Sequence, residues 1–91
     1  METMNIEVLF FGKLRELAVR QRVVSITDGA RLIDLVDLLV KEYGVDFREE
    51  INHKERWHFL LNGRYYNPLD GMEIPLKDGD VVAMLPLLAG G

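Results

Sequence analysis

The sequence predicts an α+β roll, with one long amphipathic helix packed across one face of a mixed sheet of four to five strands. Three observations predict it. Short β-branched and aromatic runs that alternate with period two lie towards both ends of the chain. One apolar stripe of helical spacing lies between them. An Asn-Gly dipeptide joins two apolar runs in the second half, the preferred chemistry of a two-residue hairpin turn. One helix cannot cover both faces of a sheet, so it packs on one of them.

Residues 4–11 form the first strand, with Ile6, Val8 and Phe10 on one face and Glu7, Leu9 and Phe11 on the other. Gly12 ends it, and Lys13 to Ala18 reads as one or two helical turns. Gln21 to Thr27 alternates again, Val24 and Ile26 against Val23 and Ser25, and makes a hairpin with the first strand across a long connection. Thr27-Asp28-Gly29 is a turn that can also cap a helix. Leu32, Leu35, Val36, Leu39 and Tyr43 then follow helical spacing, and Gly44 stands where a C-terminal cap belongs. Val45 to Glu55 is dominated by charge and reads as a loop. Arg56 to Asn62 is the third strand, Asn62-Gly63 its type I′ turn, and Arg64-Tyr65-Tyr66 a short return strand. Asn67 to Gly71 and Lys77-Asp78-Gly79 are turns, and Asp80 to Leu85 is the last strand. The first and last strands are the expected central pair. This order is the one a β-grasp domain requires, and other α+β rolls share it.

Composition narrows the function classes. The chain has 91 residues, 48% of them hydrophobic, with 11 Lys+Arg against 15 Asp+Glu for a net charge of −4. That is one domain, residues 1–85, followed by a tail over residues 86–91. The acidic balance argues against a nucleic-acid backbone binder. No apolar run reaches the ~18 residues of a membrane span, and no basic-then-apolar leader opens the chain. A cytoplasmic protein is expected. The chain holds no cysteine, which excludes disulfides, thiolate metal sites and a cysteine nucleophile. Ser25 is its one serine, no triad assembles around it, and no Gly-rich phosphate loop exists. His53 and His58 with Glu49, Glu50 and Glu55 match no metal-ligand spacing, so no metal site is expected. Arg15 and Glu16 fit either a partner contact or a surface turn.

Two features carry a functional reading. The chain ends Leu85-Pro86-Leu87-Leu88-Ala89-Gly90-Gly91. A terminal carboxylate attacks the α-phosphate of ATP to become an acyl adenylate, and an enzyme that does this grips the terminus in a narrow channel. Glycines leave that channel unobstructed and adopt any backbone angle it demands. Strand parity supplies the second feature. If Ile6, Val8, Phe10, Trp57, Phe59, Leu61, Val82 and Met84 face the helix, then Leu9, Phe11, Leu60, Val81, Ala83 and Leu85 face away, where a domain this small has no second layer. Such a patch marks a partner surface beside the root of the tail, and Tyr65 joins it from the short strand.

Residues Glu7 to Leu17, EVLFFGKLREL, resemble the N-terminal strand of MoaD-type sulfur carriers, and Pro75 to Ala83, PLKDGDVVA, resembles their segment before the last strand. Asn62-Gly63 and the terminal glycines fall where that family has them, and the likeness runs from Asn5 to Gly91. The resemblance implies a ubiquitin-like β-grasp fold and a non-catalytic sulfur-carrier subunit for molybdenum or tungsten cofactor synthesis. It implies that an E1-like adenylating enzyme uses ATP to activate Gly91, and that a sulfur donor replaces AMP to leave a thiocarboxylate. The carrier itself binds no cofactor. It further implies that Pro86, Leu87, Leu88, Ala89 and Gly90 thread a channel in the large subunit of molybdopterin synthase, in a heterotetramer. Phe11, Tyr65 and Leu85 match the family's apolar interface positions, with Leu9 and Leu60 beside them. Met84-Leu85-Pro86-Leu87 departs from the family's second aromatic and paired prolines, and the chain is longer around Val45 to Lys54. A ubiquitin-like modifier joined to lysines shares the same activation step, as do carriers for tRNA thiolation or thiamine thiazole.

Overall fold

The computed structural model describes residues 2–53, 57–66 and 72–86. In chain order the elements are β1 (Thr3–Phe10), α1 (Lys13–Leu17), β2 (Gln21–Thr27), α2 (Leu32–Tyr43), α3 (Val45–Ile51), β3 (Trp57–Leu61), β4 (Arg64–Tyr66) and β5 (Val81–Pro86). The five strands form one mixed sheet in the order β2-β1-β5-β3-β4. β1 and β5 are both interior and pair in parallel, Glu7 opposite Val81 through Phe10 opposite Met84. Every other pairing is antiparallel. This is the expected α+β roll, with β5 carried one residue further than the sequence reading, to Pro86.

Strand parity decides the core. Ile6, Val8, Phe10, Trp57, Phe59, Leu61, Val82 and Met84 are all buried on the helix side of the sheet. Leu32, Leu35, Val36 and Leu39 of α2 bury against them. At roughly 1.5–3 kcal/mol per large apolar side chain buried, this layer is the main stabilising term.

Three local expectations met different outcomes. Asn62 and Gly63 take φ of 52° and 84°, the two positive values a type I′ turn requires. Thr27-Asp28-Gly29 does turn the chain, the Ala30 N–H donating to the Thr27 carbonyl at 3.1 Å, but it caps no helix. The N-cap of α2 is Arg31, whose backbone N–H donates to the Asp34 carboxylate at 2.8 Å. The free N–H groups of Leu32 and Ile33 go to the carbonyls of Ile74 and Met72, both at 2.9 Å. A distant segment of main chain therefore satisfies donors that a local side chain was expected to take.

Within the segment Val45 to Glu55, read as a loop, Val45–Ile51 forms a third helix. Two of its apolar residues, Phe47 and Ile51, are four apart and both buried. The Phe47 ring meets Phe10 edge-on at 6.0 Å and lies 5.4 Å from Tyr43. Gly44, with φ of 92°, ends α2 and starts α3, so the chain turns without spending a loop. The turn residues Asn67 to Gly71, and residues Lys54 to Arg56, lie outside the described residues.

A second knot fixes β5. The Asp80 carboxylate, nearly buried, accepts the Asn62 side-chain amide at 2.9 Å and the Lys77 N–H at 2.8 Å. The Asn62 side-chain oxygen, Oδ1, in turn accepts the Val81 N–H at 2.9 Å. The β3–β4 turn is thereby locked to the turn that opens β5. On the opposite side Arg22 donates to Glu42 and, at 3.1 Å, to the Tyr43 hydroxyl. Hydrogen bonding to the Glu42 carboxylate first, and to Tyr43 second, raises the Arg22 pKa above its ordinary value. The shift lies above the ordinary arginine pKa, so Arg22 stays protonated through the neutral range and adds no pH dependence there.

If α3 belongs to the core, Phe47→Ala destabilises the protein by about 3–5 kcal/mol in urea unfolding. A loss near the ~0.5 kcal/mol of a surface substitution would return this segment to a loop.

Candidate functional site: the outer sheet face and the root of the tail

The face of the sheet opposite the helices has no second layer among the described residues. Leu9, Leu60, Val81 and Leu85 are half-buried there, as is Phe11 just past β1. Tyr65 is exposed at 52%. Ala83 lies at their centre and is covered by its neighbours, opposite Leu9 on β1 and Leu60 on β3. Leu60 is also opposite Tyr65, so one row runs Leu9, Ala83, Leu60, Tyr65 across four strands. A second row places Leu85 opposite His58. The structure thus brings all five residues named for the partner surface, Leu9, Phe11, Leu60, Tyr65 and Leu85, onto one continuous apolar face.

His58 belongs to that face although sequence reading gave it no role. Its ring lies 5.1 Å from that of Tyr65, and its Nδ1 is buried with no hydrogen-bond partner among the described residues. Period-two parity from Leu60 already pointed to this placement. Arg15 is accounted for as well. Its Nε donates to the Phe10 carbonyl at 3.2 Å, and its guanidinium sits 5.2 Å from the centre of the Phe11 ring. It pins the aromatic ring at the rim of the face and places a cation beside it.

The root of the tail is held by a contact that no local pattern reveals. Gly12 has φ of 59° and ψ of −138°, a region open to glycine alone. A Cβ built on Gly12 would stand 3.1 Å from Pro86 Cγ. The Pro86 ring packs on bare backbone there, while across the sheet Pro86 pairs with Trp57. The two sides together fix the direction in which the chain leaves β5. Leu87, Leu88, Ala89, Gly90 and Gly91, the remaining residues of the tail reading, lie outside the described residues.

Among the described residues no three His, Asp or Glu side chains converge as a metal site. No helix there is long and apolar enough to cross a membrane.

The model of the ThiS family matches residues 8–91. The chain belongs to that family. It is 37% identical over 90 residues to the molybdopterin synthase sulfur carrier subunit of Chlamydomonas reinhardtii, covering 97% of this chain and 100% of that protein. It is 36% identical over 92 residues to small archaeal modifier protein 3 of Haloferax volcanii, with 97% and 100% covered. Among solved structures it is similar to the Haloferax volcanii HVO 2177 protein, with a TM-score of 0.76 and 31% identity over 98% of this chain and 88% of that one. It is also similar to a chain in the complex of molybdopterin-converting factor subunits 1 and 2 from Helicobacter pylori. There the TM-score is 0.60 and the identity 27%, over 97% of this chain and 100% of that one. The family's ubiquitin-like β-grasp fold is the architecture seen here.

The Gly12–Pro86 contact is open to a double-mutant cycle. Gly12→Ala is expected to cost about 1–3 kcal/mol from backbone strain and the clash with Pro86. In a Pro86→Gly background the penalty falls, because only the backbone part remains. Equal penalties in both backgrounds would mean that Gly12 and Pro86 do not press on each other.

Proposed function

We propose that this chain is the sulfur carrier subunit of a molybdopterin synthase. The observation that carries the reading is an apolar face, uncovered among the described residues, that reaches the root of a tail ending in Gly-Gly. The similarity to the Chlamydomonas sulfur carrier subunit over nearly the full length supports it, and so does the two-subunit complex from Helicobacter.

In this reading the Gly91 carboxylate attacks the α-phosphate of ATP on an E1-like adenylating enzyme. An acyl adenylate forms and pyrophosphate leaves. A sulfur donor at the sulfide level then attacks the acyl carbon. AMP departs, and Gly91 carries a thiocarboxylate. Pro86, seated on Gly12, aims the tail, and Leu87, Leu88, Ala89 and Gly90 pass through the channel of the large catalytic subunit. Leu9, Phe11, Leu60, Tyr65 and Leu85 dock on that subunit and bury the face that the fold leaves open. The chain supplies sulfur and position, and the partner's active site performs the transfer to the pterin precursor. A catalytic subunit that is itself a dimer gives a heterotetramer.

The likeness to a small archaeal modifier protein supports a second outcome for the same activated glycine, capture by a lysine amine as an isopeptide. The two outcomes share the adenylate and part only at the nucleophile.

Intact mass after incubation with ATP, an adenylating enzyme and a sulfur donor tests the first reading. The expected result is a gain equal to sulfur minus oxygen, absent when Gly91 is deleted. Full loading of a chain ending at Gly90 would overturn it, and adducts on lysines with no thiocarboxylate would favour the modifier.

A further inference from the structure

The two edges of the sheet are not alike. β4 is 3 residues long, and short edges resist pairing. β2 runs 7 residues in unbroken register with β1, from Leu9 opposite Gln21 to Thr3 opposite Thr27. It holds no proline, no lysine and no bulge, the devices that usually blunt an edge. Its one charge, Arg22, is turned back onto Glu42 and Tyr43 of α2.

The phase of the ladder decides which amides are free. Phe10 N–H donates to the Arg20 carbonyl at 2.9 Å, and Asp28 N–H donates to the Glu2 carbonyl at 3.0 Å. Antiparallel pairing alternates from those ends. Arg22, Val24 and Ile26 therefore turn N–H and C=O towards β1, while Gln21, Val23 and Ser25 turn theirs away from the sheet. Thr27 is different, because its carbonyl is taken by the Ala30 N–H. Val23 stands at the middle of the free stretch and is 60% exposed, more than Val19, Val45 or Tyr65.

We propose that β2 is a self-association edge, pairing antiparallel with β2 of a second copy about a two-fold axis at Val23. A two-fold interface needs one patch that complements itself. In this register Val23 faces Val23 of the second copy, and Gln21 faces its Ser25. Apolar meets apolar on the axis, polar meets polar on the flanks, and each outward N–H of the three residues meets a carbonyl. Arg22 falls opposite Val24 on the helix side, where Glu42 already holds its charge. β5 lies two strands inward from β2, so both tail roots and both outer faces stay open. A strand-to-strand junction of this length falls short of the roughly 1,000 Å² of a stable interface, so the dimer is weak and concentration-dependent. The inference rests on the sheet and not on the carrier reading.

Residue-resolved amide exchange of the full chain, dilute and concentrated, tests it. In concentrated solution the Gln21, Val23 and Ser25 amides are expected to slow roughly tenfold or more, alongside a dimer in sedimentation. The Arg22, Val24 and Ile26 amides stay slow at both concentrations and report an intact fold. Val23→Lys puts like charges on the axis, and Ser25→Pro removes an N–H that β1 does not use. Each is expected to abolish the concentration dependence and leave the control amides slow. Exchange that ignores concentration overturns the proposal, as does a dimer that survives Val23→Lys. So does a dimer lost instead on Leu60→Asp, which would place association on the outer face. Slowing of the β2 amides only when a molybdopterin synthase large subunit is added would assign the edge to a different chain.

Discussion

The parallel pairing of β1 with β5 is the constraint on which the other features depend. Two strands nearly the whole chain apart run side by side in the same direction. A parallel pair cannot be closed by a hairpin, so the chain between must cross over, and α2 does so on one face. Because the strands are parallel and in register, Phe10 and Met84 bury together, and beyond them β1 ends while β5 runs on to Pro86 against β3. Phe11 and Leu85 then fall on the outer face, and Gly12 meets Pro86. One backbone arrangement thus sets the core, the apolar outer face and the exit of the tail.

The polar contacts serve that arrangement. Gly79 N–H donates to the Asn5 carbonyl at 2.9 Å, Asn5 N–H to the Asp78 carboxylate at 2.8 Å, and Glu7 N–H to the Asp80 carbonyl at 2.9 Å. These bonds hold the start of β5 against β1. Asp80 meanwhile ties the same turn to Asn62, so the only nearly buried charge among the described residues is spent on aligning β5 with both neighbours. Removing a charged acceptor that serves two donors typically costs more than a neutral hydrogen bond, about 1.5–3 kcal/mol each.

Much of this was legible in the sequence because it follows from short-range rules. Period-two alternation put Ile6, Val8, Phe10, Trp57, Phe59, Leu61, Val82 and Met84 on the buried side, where they lie, and left Met4, Val24 and Ile26 of the same core unassigned. Asn62-Gly63 declared its turn because few dipeptides tolerate two positive φ values. The helix α3 was not legible. Phe47 and Ile51 are its whole apolar stripe, set among Asp46, Arg48, Glu49 and Glu50, and only burial against Phe10 and Tyr43 makes that stripe count. The capping of α2 was not legible either, since its partners are main-chain carbonyls some forty residues on, at Met72 and Ile74. The Gly12–Pro86 contact follows from the β1–β5 register, which no local pattern encodes. His58 is weighed in the sequence only as a metal ligand beside His53 and three glutamates, and its spacing fits none, so its place on the outer strand face goes unread.

The proposed docking puts the catalytic partner on the outer face and not on the helix side. Cross-saturation from a molybdopterin synthase large subunit to the labelled chain distinguishes the two. Transfer is expected to Leu9, Phe11, Leu60, Tyr65 and Leu85, with Ile33, Leu38 and Val40 of α2 untouched. Transfer centred on α2 with a silent outer face would overturn that docking.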